Sequence, residues 1–105
     1  MTTAVLAPMF AALAEETRWS ILTALGEGDA SASALAGRLP VTRQAIARHL
    51  VVLQDVGLVE PIRVGRELRF RVVGASLNAT ARKLDEIGRE WNRRLAAIKE
   101  IAEEL

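Results

Sequence analysis

The chain of 105 residues is long enough for one hydrophobic core and too short for a binding domain plus a separate catalytic one, so a single domain over residues 1–105 is expected. It holds no cysteine and one histidine, which excludes disulfides, thiolate nucleophiles and sulfur-ligated metals. Net charge is only +1, yet residues 1–37 sum to −3, residues 75–105 to zero, and residues 38–74 carry seven arginines against three acids, or +4.

In chain order, Val5, Leu6, Met9, Phe10 and Leu13 recur at helical spacing, with Pro8 where a first turn tolerates it. Thr17 is a candidate cap for a second helix with Trp19, Ile21, Leu22 and Leu25 on its apolar side, ended by the run Gly26, Glu27, Gly28, Asp29. Glu15 and Glu16 suit the positive end of that helix and read as capping charges, since no nucleophile or glycine-rich loop accompanies them. Ser33 is a candidate cap for a third helix carrying Leu35, Ala36 and Leu39, closed by Pro40. Thr42 caps a fourth, over residues 42–55, where Ile46, Leu50 and Leu53 form one stripe and Arg43, Gln44, Ala47, Arg48 and Val51 fall on the other side.

After Gly57 the period changes from 3.6 to 2. A hairpin over residues 62–72 turns at Gly65, with Leu68, Phe70 and Val72 on one face and Arg69 and Arg71 on the other. Pro61 cannot donate to a ladder, which makes the first arm an edge. Residues 75–105 then contain no proline. Leu77, Leu84, Trp91, Ile98 and Leu105 stand seven apart, interleaved by Ala81, Gly88, Leu95 and Ala102, which is a heptad seam on one long helix. At about 46 Å it would overhang a domain whose radius of gyration should be near 13 Å. The least costly cover for such a seam, with Leu77, Leu84, Trp91, Leu95 and Ile98 along it, is a second copy of the chain. Trp91 reads as a packing group there, with ligand stacking as the rarer role.

Two capped helices joined by Pro40, Val41 and Thr42, the second with an arginine and glutamine face, form a helix-turn-helix. The DNA-facing candidates are Thr42, Arg43, Gln44, Ala47, Arg48 and His49 on that helix, with Arg63, Arg66 and Arg69 on the hairpin. Glutamine matches adenine and arginine matches guanine in the major groove, while Ala47 permits close approach. A merely solvated polar face is the competing reading, and the basic hairpin immediately downstream weighs against it.

The residues Ala12 to Arg18 with Ile21 and Leu22, then Ala34 to Ala36, Ile46 to Leu50 with Leu53, Gly57 to Val59, and Val64 to Glu67 with Phe70, together resemble the ArsR-type (ArsR/SmtB-like) winged-helix regulators. The tail with Trp91, Arg94 and Leu95 is similar to the branch lacking the cysteine metal box. The resemblance implies a mainly α fold of five helices plus a β-hairpin wing, and a homodimer through the first and last helices in which Leu6 and Phe10 of the first join the seam of the last. It places His49 on the recognition helix, where packing or a backbone bond competes with DNA contact. The usual metal ligands of the family are missing from residues 35–39 and 85–94, so no cofactor or metal is expected.

The expected function is a homodimeric regulator, a repressor of a small operon, that binds double-stranded DNA at an inverted repeat, with residues 42–55 in the major groove and the wing on flanking backbone or minor groove. A protein-binding module using the last-helix seam is the rival, and an enzyme has no nominable site residue. Effectors left open are a small apolar ligand, a partner protein, a carboxylate metal site, or none. No apolar run approaches the roughly 20 residues a membrane helix needs, and residues 1–10 lack a basic secretory lead, so no membrane partner and a cytoplasmic location are expected.

Overall fold

The computed structural model describes the backbone from Thr3 to Leu105 and the side chains from Ala7 onward. Its elements are α1 (Thr3–Ala14), α2 (Glu16–Glu27), β1 (Ala30–Ser31), α3 (Ala32–Arg38), α4 (Arg43–Asp55), β2 (Val59–Val64), β3 (Glu67–Val72) and α5 (Gly74–Glu104). Five helices and a hairpin were expected; β1 was not. It makes the hairpin a three-stranded antiparallel sheet in the order β1-β3-β2, with Ala30 opposite Phe70. Two residues are too few to show a period, so only the fold reveals this strand. Pro61 does lie on an edge strand, as its missing donor requires.

Three boundaries differ from expectation for local reasons. Pro8 sits inside α1 and not in its first turn, because Ala4, Leu6 and Ala7 are strong helix formers and carry the helix back to Thr3. Only Glu15 separates α1 from α2, so Glu15 and not Thr17 caps α2, its carboxylate accepting from the Arg18 amide at 2.8 Å. Ser31 and not Ser33 caps α3, accepting from the Ala34 amide at 3.1 Å, because pairing with β3 already holds Ser31 extended. At the end of α4, Gly57 adopts a φ of 80°, which L side chains rarely occupy, and lets the Leu58 amide donate back to the Leu53 carbonyl at 2.9 Å.

Met9, Ile21, Leu35, Ile46, Leu50, Leu53, Leu58 and Val59 are all but fully buried and join α1, α2, α3, α4 and β2 in one core. The core locks α4 in place and fixes which of its sides faces water. α5 behaves differently. Leu77, expected in the seam, packs partly against its own domain, and Thr80 is buried, its hydroxyl donating to the Ser76 carbonyl at 2.9 Å. From Leu84 onward every side chain is exposed. The radius of gyration is 18.4 Å and the long axis 68 Å, so the helix does project beyond the domain. Local ion pairs hold this unsupported stretch helical: Arg89 with Asp85, Arg93 and Arg94 with Glu90, and Lys99 with Glu103, all three or four residues apart.

Candidate nucleic-acid interface

The site is built on α4. Thr42 supplies the cap, its hydroxyl oxygen accepting from the Ala45 amide at 3.2 Å. That oxygen's own proton remains available to donate to a phosphate at the positive end of the helix. Ile46, Leu50 and Leu53 face the core, while Arg43, Gln44, Ala47, Arg48, Val51 and Gln54 are exposed. Between this side of α4 and the turn joining β2 to β3 lies an open cleft of about 740 Å³. Its α4 wall presents Arg43, Gln44, Ala47, Val51 and Gln54; its hairpin wall presents Arg66, Glu67 and Leu68; the start of α3 closes one end. Gly65, with a φ of 61°, makes the tight turn that sets Arg66 at the rim.

Charge in this region is less uniform than its arginine count implies. Arg69 pairs with Glu67 at 2.8 Å, and Arg71 pairs with Glu60 at 2.6 Å, directly across the ladder. The register also separates the hairpin arginines. Arg63 stands opposite Leu68 and shares its face, whereas Arg69 and Arg71 lie on the other face with Ile62 and Glu60. The four hairpin arginines therefore do not present one common surface, and Arg69 stands apart from the cleft. Arg43, Arg48, Arg63 and Arg66 are exposed and form no ion pair among the described residues.

His49 points away from the cleft. Its Nδ1 lies 3.8 Å from Oε2 of Glu15, half-buried at the junction of α1 and α2. The Arg18 amide beside Glu15 holds that carboxyl below its ordinary range. Of the expected dimer residues, Leu84, Trp91, Leu95 and Ile98 are exposed on α5, with the Arg94 guanidinium 5.4 Å from the centre of the Trp91 ring. Phe10 is half-buried on α1, and the side chain of Leu6 lies outside the described residues.

Val51 and Gln54 were not among the nominated contact residues, though both line the cleft. Their spacing from Gln44 and Ala47, at i, i+3, i+7 and i+10, was the available signal. Among the described residues no cluster of three or more His, Cys, Asp or Glu is placed to hold a metal ion, and no helix is long and apolar enough to cross a membrane.

This architecture is shared. Residues 13–62 match the model of a helix-turn-helix domain family. An ArsR-like transcriptional regulator from Rhodococcus sp. RHA1 is 67% identical in sequence, with a TM-score of 0.88 over 94% of this chain and 93% of that one. The HTH-type transcriptional regulator CmtR of Mycobacterium tuberculosis is 37% identical over 87 residues, which is 83% of this chain and 71% of the relative. A solved structure of CmtR, described as a cadmium metal-sensor, superposes with a TM-score of 0.60 over 77% of this chain and 80% of that one. The winged helix-turn-helix domain of Mb0332 from Mycobacterium bovis, described as homodimeric and DNA-binding, is 26% identical with a TM-score of 0.66, covering 88% of this chain and 82% of that one. On the extent of the match to these relatives, and on the helix-turn-helix and hairpin that carry it, the chain belongs to the ArsR family of winged helix-turn-helix transcriptional regulators.

Proposed function

We propose that the chain acts as a homodimeric, sequence-specific repressor of a small operon, with α4 in the major groove and the hairpin on flanking backbone or minor groove. The carrying observation is the cleft between α4 and the hairpin, bordered by exposed guanidinium groups of Arg43 and Arg66 that no described acid neutralises. Phosphates supply the missing counter-charge, and each one engaged releases condensed cations from the duplex. Gln44 and Arg48 then read base edges, and Arg63 and Arg66 hold the backbone. Arg69 contributes only if phosphate displaces Glu67.

Pairing of two chains is supported by the apolar side of α5, where Leu84, Trp91, Leu95 and Ile98 stand in water on a helix that its own domain does not cover. Two-fold symmetry then sets two copies of α4 one helical turn of DNA apart, about 34 Å, and the operator is an inverted repeat. The cadmium-sensing relative does not lend its trigger directly, because soft thiolate ligands are the usual means of holding such an ion and this chain has no cysteine.

The test is to pass genomic fragments over the purified chain and measure binding of the retained duplexes across a salt series. Nanomolar affinity for an inverted repeat, falling steeply with salt, is expected. Retention of no fragment, or affinity indifferent to salt, rejects the reading.

A further inference from the structure

Gln44, Ala47, Val51 and Gln54 form one stripe along α4, and all four line the cleft. The ends of the stripe are carboxamides and its middle is apolar. Val51 is 56% exposed in the middle of a recognition surface, where a purely solvated face would carry a polar group. Exposed Leu68 adds to the apolar floor from the hairpin side.

In the major groove, adenine offers an acceptor and a donor that a carboxamide matches with two hydrogen bonds, and its partner thymine offers a C5-methyl group. Cytosine would instead turn its amino group toward Val51, which has nothing to accept it, so a G·C pair there leaves a donor desolvated and unpaired. We propose that Ala47 and Val51 read the C5-methyl groups of thymines, flanked by adenines read through Gln44 and Gln54, so that each operator half-site carries a short run of A·T pairs beneath α4. The ten residue steps from Gln44 to Gln54 rise about 15 Å, which spans about four base-pair steps at roughly 3.4 Å each. The occupant is duplex DNA and not an apolar peptide, because the unpaired Arg43 and Arg66 stand on opposite walls of the same cleft. The inference rests on the DNA-binding reading given above.

The experiment selects duplexes from a randomised pool with the purified chain, then remakes the selected site with deoxyuridine replacing each thymine in turn, which removes only the methyl group. Binding is followed by fluorescence anisotropy. One or two substitutions per half-site should weaken binding about four-fold, the discrimination expected for one buried methyl. In Val51→Ala the penalty at one of those thymines should vanish, while a penalty at a thymine beneath Ala47 remains. Because Val51 is exposed and alanine favours a helix, this variant keeps its fold. Selective, salt-dependent binding with no deoxyuridine penalty, or the same penalty in both proteins, overturns the inference and leaves the DNA reading standing. A chain that selects no duplex even at low salt loses both.

Discussion

Nδ1 of His49 on α4 stands 3.8 Å from Oε2 of Glu15, the same carboxylate oxygen that accepts the Arg18 amide at 2.8 Å and caps α2. One side chain thus closes the start of a core helix and faces the helix proposed to enter DNA.

That arrangement has a pH signature. The Arg18 amide, with smaller help from Thr17 and His49, keeps the Glu15 carboxyl below its ordinary range. The folded chain therefore binds fewer protons at this site than the unfolded chain, so the stabilisation is present above about pH 4.3 and fades as pH falls through the lower folded value. Glu15→Gln should unfold at a lower urea concentration than the unsubstituted chain near pH 7, and the gap should narrow as pH falls below about 4.3. A gap that stays constant across that range contradicts the assignment.

Leu50 is 1% exposed on the core side of α4. Leu50→Ala should cost about 2 to 5 kcal/mol in urea unfolding by opening a cavity beneath the helix. At temperatures where the variant remains folded, its order of preference among DNA sequences should be unchanged, since no base-facing group is altered.

Substitutions on the exposed side should divide by chemistry. Gln44→Ala and Arg48→Ala should flatten the preference among operator sequences, whereas Arg66→Ala should weaken binding to all sequences alike and reduce the salt slope by about 0.9 for each phosphate left without its guanidinium. Anisotropy titrations against selected and scrambled duplexes over a salt series measure both effects. If all three variants bind like the original, the cleft is not the DNA surface.

Leu95 and Ile98 are 57% and 62% exposed on α5. A carboxylate at either place would be desolvated without a partner in a paired seam, yet is harmless in water. Leu95→Glu and Ile98→Glu should therefore sediment as single chains at micromolar concentration, keep their helical content, and lose most operator affinity. A single-chain state for the unsubstituted protein under the same conditions removes the symmetric model.

Much of this was legible in the residues, and the exceptions have physical causes. Thr42 followed by the Ile46, Leu50 and Leu53 stripe located α4 correctly because a side-chain cap and a 3.6-residue period are local signals. Glu15 in place of Thr17 was harder to see, since which acceptor caps α2 depends on where α1 stops. The hairpin arms were legible, and Glu67 two residues before Arg69 on one strand was a local signal for that pair; the partner of Arg71 was not, because strand register is what sets Glu60 opposite it. Val51 and Gln54 entered the site only when the hairpin wall placed them in a shared cleft.

The length of α5 has a metrical consequence for the proposed pair. Sliding two such helices past one another by one heptad moves one domain about 10.5 Å relative to the other, or roughly three base-pair steps. The vertical alignment of Leu84, Trp91 and Ile98 would then act as a ruler, dictating the gap between operator halves without touching a single base.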